Sequence, residues 1–415
     1  MKTGWNRLLS VFLALVLVLG CLPAAALAAG SEEGVYQYTS NENGNKQETD
    51  DFQWYDSFTR SSFEGCDHLR LLSAQVAISS ASYYGAEEDA YEQDHSDLGR
   101  NVKAMLTAMG FEDVEANAWY AAEAQENSAA VAVGHRSIEA DGKAYTLLAV
   151  IPRSAGYKQE WAGNFTVGSG LIHEGFKAAR DEDLRFVKQY IGAHGITGDI
   201  KVWISGHSRG AAVANILGAK LTDRFGADSV YAYTFATPRT VRGDYPAYDN
   251  IFNVINPCDM VPMLPLEAWG FERYGIDRVL PVDTADAALI QAARDAYDQR
   301  TDKIGEFMVW GDGGQAVREL INACGTLMPT VADSYARRHA IDHPGLAVEG
   351  EAGVTGSELL LTMFTSGDMA ALTAQENDFA PLLQAMLALS ARPDAGALTA
   401  NHMPGVYGAW MTVAD

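Results

Sequence analysis

Short apolar runs and longer stretches with helical spacing alternate through the middle of this chain. The short runs have the length and composition of buried strands, and they occupy residues 129–133, 145–151, 200–204, 230–235 and 251–255. The first two runs are joined through Asp141-Gly142, a pair typical of a tight turn between strands. These runs predict a sheet at the centre of the sequence.

Apolar residues at helical spacing flank these strands and predict helices, at residues 69–78, 98–109, 176–191 and 211–225. Helices and strands then alternate along the chain, which is typical of an α/β fold with a mostly parallel sheet flanked by helices. Right-handed crossovers bring the ends of parallel strands to one edge of the sheet, where such folds place their functional sites.

The pattern becomes mainly helical after residue 282, with predicted helices at residues 287–298, 316–324 and 381–389. We predict that residues 282–398 form a helical insertion or cap on one domain, residues 60–415. A separate second domain is the alternative interpretation.

The first 28 residues have the pattern of a secretory signal peptide. Lys2 and Arg7 precede an apolar run of about a dozen residues, and small residues follow up to Ala28, the predicted cleavage site. This predicts a secreted protein; a lipoprotein anchored at Cys21 is the alternative. The polar composition of residues 29–59 predicts a flexible leader.

Composition excludes some partners. The formal net charge is −24, which disfavours nucleic acid because binding phosphates requires basic patches. The chain has 4 cysteines, too few for a disulfide framework, and no metal-ligand spacing. Nucleotide-binding glycine motifs are also absent from the sequence, so we expect no cofactor and no metal.

Residues 206–210 read Gly-His-Ser-Arg-Gly, between a predicted strand and a predicted helix. In this context the Gly-x-Ser-x-Gly pattern is typical of a nucleophile elbow, a sharp turn that presents the serine hydroxyl. Ser208 is then the predicted nucleophile, and the backbone N–H of Arg209 is a predicted oxyanion donor. His207 is not expected to face Ser208, since neighbouring side chains on such a turn point in different directions.

A serine nucleophile requires a general base and an acid that orients it, in the chain order serine, acid, histidine for this type of sheet. Asp259 directly follows the strand at residues 251–255, in a proline-rich loop. For the base, spacing alone leaves both His343 and His402 open, whereas His339 lies on a predicted solvated helix face.

Three segments carry a resemblance to a known family: residues 202–218, Thr-Phe-Ala-Thr-Pro at 234–238, and Asp-Met-Val-Pro-Met-Leu-Pro at 259–265. Together they resemble the class 3 lipases, α/β hydrolases that include fungal triacylglycerol lipases, and a secreted bacterial branch is expected. The resemblance implies a triad of Ser208, Asp259 and His402, with His402 in the tail His-x-Pro-x-x-Tyr-x-x-Trp. It also implies that the helical insertion precedes the catalytic histidine.

The chain departs from the family pattern at the second oxyanion donor. The family carries Arg-Gly-Thr or Arg-Gly-Ser after an early strand, whereas this chain reads Pro-Arg-Ser-Ala-Gly at residues 152–156. Ser154 is the counterpart that the resemblance implies, with Ala155 as the alternative. The long insertion is a second departure, and segments 359–364 or 381–389 are candidates for a lid over the site.

These observations predict a secreted serine carboxylic ester hydrolase, a lipase or esterase that acts through an acyl-enzyme on Ser208. Its expected partner is an ester or lipid substrate, with transient contact to a lipid interface and an oligomeric state that the sequence leaves open. An acyltransferase or a peptidase using the same triad, or a catalytically silent binding protein, are the alternative interpretations.

Overall fold

The computed structural model describes residues 31–40, 46–55, 58–59, 67–81, 99–120, 128–154, 160, 164, 170–267, 270–282, 287–300, 318 and 400–413. Several predictions lie outside these residues: the signal peptide at 1–28, the candidates Ala155, His339 and His343, the possible lid segments, and most of the predicted insertion at 282–398. The first helix of that insertion, predicted at residues 287–298, lies within the described residues and is confirmed.

The strands of the described residues are numbered in chain order: β1 (Ser31–Ser40), β2 (Lys46–Tyr55), β3 (Glu112–Ala116), β4 (Val131–Ala140), β5 (Lys143–Pro152), β6 (Ile200–His207), β7 (Val230–Phe235), β8 (Val241–Arg242), β9 (Ile251–Ile255), β10 (Phe271–Glu272) and β11 (Ile276–Val279). The helices are α1 (Asp67–Ala81), α2 (Arg100–Ala108), α3 (Glu174–Ala193), α4 (Arg209–Phe225), α5 (Ala287–Arg300) and α6 (Pro404–Met411).

Seven strands form the central sheet, in the order β11-β9-β7-β6-β5-β4-β3. The five from β5 to β11 run parallel, whereas β3 and β4 add an antiparallel edge. The predicted strands are confirmed, and two of them, 230–235 and 251–255, have the predicted bounds. This mostly parallel sheet flanked by helices confirms the predicted α/β-hydrolase-type fold.

Alternate residues of the central strands serve two separate cores. On one face, Val202 and Ile204 of β6 pack in a cluster with residues of α3 and α4 such as Val187 and Leu217. On the other face, Trp203 packs in a cluster that includes residues of α1 and α6. Since both faces are covered, β6 is buried almost throughout, which explains why residues 200–204 are apolar apart from Lys201.

The interpretation of residues 29–59 as a flexible leader is corrected by the structure. β1 and β2 pair antiparallel from Ser31 opposite Tyr55 to Ser40 opposite Lys46. The buried aromatic residues of this hairpin join the core beside α1, and they are Tyr36, Tyr38, Phe52 and Trp54. The apolar residues recur at every second position, so the hairpin buries one face although its composition is polar.

None of the helices in the described ranges is both long and apolar enough to span a membrane.

Candidate active site

The predicted elbow lies between β6 and α4. Ser208 connects them with φ = 55°, a left-handed conformation that is strained for a residue with a side chain. A Cβ on Gly206 would lie 2.6 Å from the carbonyl group of Gly210, and one on Gly210 would lie 2.4 Å from the carbonyl oxygen of Pro152. Both glycines are therefore required by close backbone contacts, as the sequence predicts.

Ser208 is largely buried, with 9% of the residue exposed. Its backbone N–H donates to the carbonyl of Phe235 at the end of β7, at 3.0 Å. Arg209 begins α4, and its guanidinium is fixed by donation to Asn164 Oδ1 and the carbonyl of Ser128. The backbone amide of Arg209 thus stands at the N-terminus of a helix, where the dipole favours negative charge.

The structure brings together the three residues of the implied triad. His402 Nε2 lies 2.9 Å from Ser208 Oγ, and His402 Nδ1 lies 2.9 Å from Asp259 Oδ2. A carboxylate only accepts hydrogen bonds, so Nδ1 carries the proton and Nε2 can accept the proton of the serine hydroxyl. Of the two open candidates for the base, His402 occupies this position.

Asp259 follows β9 at the same edge of the sheet as the elbow, and it is fully buried. Its Oδ1 accepts from the backbone N–H of Val261 at 2.9 Å. Its Oδ2 accepts from the hydroxyl of Tyr407 at 2.7 Å, in addition to the ring of His402. Both carboxylate oxygens therefore have donors, which compensates for the loss of water around a buried charge.

Tyr407 is a site residue whose role the sequence pattern does not predict. It lies on α6, five positions after His402, with 1% of its surface exposed. Burial, followed by the negative charge of Asp259, raises the pKa of Tyr407 well above its ordinary value, so its hydroxyl remains a donor. The signal in the sequence was the repeated aromatic residues of the tail, which match the packing of α6 in the core.

The loop after Asp259 is held through its backbone carbonyls. Arg273 donates to the carbonyl of Pro262 at 2.8 Å, and Arg239 donates to the carbonyl of Met263 at 2.5 Å. At the start of the loop, Asn256 donates its side-chain amide to Asn401 Oδ1 at 3.2 Å, beside His402. The acid loop and the tail with the histidine are therefore tied to each other as well as to the sheet.

Ser154 lies at the end of β5, beside the elbow, because the chain at residues 152–153 contacts Gly210. Its hydroxyl oxygen lies 2.8 Å from the carbonyl oxygen of His207 and 2.9 Å from His207 Nδ1. The imidazole of His207 also contacts the carbonyl oxygen of His402, through Nε2 at 2.8 Å. His207 thus packs beneath the elbow.

The elbow rests on a layer of buried polar residues. Arg153 and Glu160 form an ion pair of 2.9 Å in which both side chains are almost fully buried. His173 caps α3 through its Nδ1, which accepts from the N–H of Phe176, and its Nε2 contacts the carbonyl of Asn164. Burial lowers the pKa of His173 to about 3, so the imidazole is neutral.

Within the described ranges, no group of three or more histidine, cysteine, aspartate or glutamate residues has the arrangement of a metal site. Among the same residues, Cys258 next to Asp259 is buried and forms no disulfide; Cys66 and Cys324 lie outside them. The described residues bring together at this site the hydroxyl of Ser208, the imidazole of His402 and the carboxylate of Asp259.

Comparison with known proteins agrees with the motifs. Residues 149–269 match the model of the class 3 lipase family. This match spans β6, the elbow and the Asp259 loop, and it supports a lipase-like hydrolase. The curated proteins contain no match to the chain.

Solved structures that are similar to this chain include fungal lipases. A triacylglycerol lipase with a serine protease triad is 19% identical, covers 54% of this chain and 82% of its own, and has a TM-score of 0.34. A Rhizomucor miehei lipase in complex with its propeptide is 18% identical, with 52% and 68% covered and a TM-score of 0.32. A Rhizopus microsporus lipase is 16% identical, with 53% and 77% covered and a TM-score of 0.34. The resemblance to the class 3 lipase family rests on the match of the family model over residues 149–269, which confirms it there.

Proposed function

We propose that this protein is a secreted serine carboxylic ester hydrolase, a lipase or esterase that cleaves acylglycerols or related lipid esters. The observation that carries the proposal is the line of hydrogen bonds from Ser208 Oγ through His402 to Asp259, with both distances at 2.9 Å. Nucleophile, base and orienting acid in hydrogen-bond contact are what acyl transfer by a serine requires.

In the proposed reaction, Ser208 Oγ attacks the acyl carbon of the ester while His402 Nε2 takes its proton. His402 then protonates the leaving alcohol, which leaves an acyl-enzyme on Ser208. Water, deprotonated by the same imidazole, releases the carboxylic acid. Asp259 stabilises the imidazolium in both halves of the reaction, and Tyr407 holds the carboxylate that does so.

The oxyanion of each tetrahedral intermediate requires donors placed before the reaction begins. The backbone N–H of Arg209 at the start of α4 supplies one of them in this proposal. The backbone N–H of Ser154 supplies the second, since the end of β5 lies directly against the elbow.

The first test is hydrolysis of p-nitrophenyl esters, from short to long acyl chains, by the full chain secreted from an expression host. Ser208→Ala is expected to lower kcat by about 10⁴-fold or more. Ser205→Ala is a matched control, because Ser205 is a buried serine on the same strand that donates to the carbonyl of Ser73. Full activity in Ser208→Ala, or an inert wild type, would overturn the proposal.

The same assays separate the narrower alternatives. A preference for long acyl chains and activation by an emulsified substrate indicate a lipase, whereas a short-chain preference indicates an esterase. Faster product formation with added alcohol indicates an acyltransferase, and cleavage of amide substrates indicates a peptidase. Export is tested separately by N-terminal sequencing of the secreted protein, for which we expect a start at Ala29.

A further inference from the structure

His207 connects two parts of the site that are far apart in the sequence. Its imidazole is buried, with 3% of the residue exposed. On one side, Nδ1 lies 2.9 Å from Ser154 Oγ at the end of β5. On the other side, Nε2 lies 2.8 Å from the backbone carbonyl oxygen of His402, a residue 195 positions later in the chain.

The partners of this ring determine its tautomer. A backbone carbonyl can only accept, so Nε2 of His207 must carry a proton and donate it to His402. Burial, followed by the nearby ring of His402, lowers the pKa of His207 well below its ordinary value, so the ring is neutral. Nδ1 therefore carries no proton and can only accept a hydrogen bond, and the hydroxyl of Ser154 lies within hydrogen-bond distance of it.

The hydroxyl of Ser154 faces inward, toward His207. Its oxygen is within hydrogen-bond distance of two acceptors of that residue, Nδ1 at 2.9 Å and the backbone oxygen at 2.8 Å. One hydroxyl has one hydrogen to donate, and both nearby acceptors belong to His207. The same hydrogen is not available to an oxyanion unless the contact with His207 is broken.

We propose that His207 is a positioning residue, a neutral Nε2–H imidazole that holds the backbone of His402 and engages the hydroxyl of Ser154. This inference rests on the proposed function, and it assigns the Ser154 hydroxyl to His207 rather than to the oxyanion. The donor that Ser154 offers to the substrate is then its backbone N–H. The ring centroids of His207 and His402 are 5.0 Å apart, so a change at one affects the packing of the other.

The variants His207→Phe and Ser154→Ala test this assignment. Phenylalanine keeps an aromatic ring but removes both nitrogens, and we expect kcat to fall by about 10- to 100-fold with little change in KM, since small displacements of a base are costly. We also expect the apparent pKa in the profile of kcat/KM against pH to shift, since that value reports the base. Ser154→Ala should lower kcat by less than about tenfold, because its hydroxyl contacts the ring and the backbone oxygen of His207 and not the oxyanion.

A direct role of the Ser154 hydroxyl in binding the oxyanion would give a different result. If the Ser154 hydroxyl is an oxyanion donor, Ser154→Ala lowers kcat by about 10²–10³-fold. A loss of that size in Ser154→Ala therefore overturns the proposal. His207→Gln provides a conservative variant, because its amide can donate to the carbonyl of His402, and it should recover part of the loss.

His135→Phe is the matched control. His135 makes a similar histidine–hydroxyl contact, from Nδ1 to the hydroxyl oxygen of Tyr190 at 2.8 Å, between β4 and α3. We expect this substitution to affect thermal stability but leave the pH profile of kcat/KM unchanged. An equal shift of the profile in His135→Phe would show that the effect of His207→Phe is general and would overturn the positioning role.

A measurement on the wild type does not depend on ester hydrolysis. ¹⁵N NMR of the histidine rings distinguishes a nitrogen that carries a proton from one that does not. For His207 we expect a protonated Nε2 and a bare Nδ1 that do not change from about pH 5 to about pH 8. A protonated Nδ1 overturns the proposal, whereas an inert wild type with the expected spectrum would refute only the proposed function.

Discussion

Ser208 and His402 meet at 2.9 Å, but the chain holds them there in different ways. The serine is fixed by its immediate neighbours, through a left-handed turn and two glycines in close contact with backbone atoms. The histidine is fixed by polar contacts between distant segments: His207 to its carbonyl, Asp259 to its ring, and Asn256 to the preceding Asn401.

This difference predicts how the elbow at Ser208 and the tail at His402 respond to substitution. Backbone contacts at the elbow leave no space, so an added methyl group must displace main chain. Hydrogen bonds around the histidine can be removed one at a time without new clashes, and each has a limited energy. We therefore expect large losses of activity and stability for substitutions at the elbow. Around the tail we expect smaller losses, except for substitution of the acid, Asp259.

The largest effect is expected for the acid on which the tail depends. Asp259→Asn should lower kcat by about 10⁴-fold, because the amide can no longer favour the Nδ1–H tautomer of His402. Asp249→Asn is the matched control, since Asp249 is exposed at the opposite end of β9. A ratio of kcat values near one for Asp259→Asn would remove Asp259 from the mechanism.

A methyl group at the elbow comes next. Gly210→Ala places a Cβ 2.4 Å from the carbonyl oxygen of Pro152, so we expect a loss of about 3 kcal/mol in the free energy of unfolding. A displaced elbow should also lower kcat by about 10²-fold. Gly192→Ala in α3 is the control, because nothing lies within 4 Å of its added Cβ; equal denaturation midpoints for the two variants would contradict the close-packed elbow.

Because His173 is buried in its neutral form beneath the elbow, we expect the stability of the fold to fall at acidic pH. The pKa of His173 is lowered to about 3 by burial, so below about pH 6.5 the unfolded chain binds a proton that the folded protein does not. The free energy of unfolding should fall by about 2 kcal/mol between pH 7 and pH 5 from this group. His173→Asn, which can still cap α3, should flatten that fall in urea titrations. If the free energy of unfolding falls equally with pH in wild type and in His173→Asn, this role of His173 is contradicted.

A graded loss is expected at the tail. Tyr407→Phe removes one donor from Asp259 Oδ2 but leaves the contact with His402, so kcat should fall about tenfold. Tyr231→Phe is the matched control, because its buried hydroxyl contacts the carbonyl of Asp228 away from the site. If both variants lose the same activity, Tyr407 has only a structural role.

The features that the sequence predicted well are those fixed by nearby residues. The strands at 230–235 and 251–255 are apolar apart from Thr234 and Asn253, because both faces of the sheet are covered. The elbow could also be predicted from the sequence, since the glycines at 206 and 210 are required by the local turn. Asp259 could be placed because its carboxylate follows a strand of the same sheet.

The features that could not be predicted from the sequence depend on contacts between distant residues or on the direction in which a side chain points. The hairpin of β1 and β2 looked like a leader because its average composition is polar, and only the alternation of Tyr36 and Tyr38 shows its buried face. The hydroxyl of Tyr407 reaches a carboxylate 148 positions earlier. No spacing rule indicates that the Ser154 hydroxyl turns toward His207.

The order of these residues along the chain also has a consequence in time. The elbow and the acid loop precede His402, which follows Ser208 by 194 positions. During synthesis, Ser208 therefore emerges long before the histidine that contacts it, and long-range contacts of this kind form late in folding. Under the proposed mechanism, hydrolytic activity begins only when His402 and α6 dock, so a chain still being synthesised up to that point is inactive toward lipid esters in the cell that makes it.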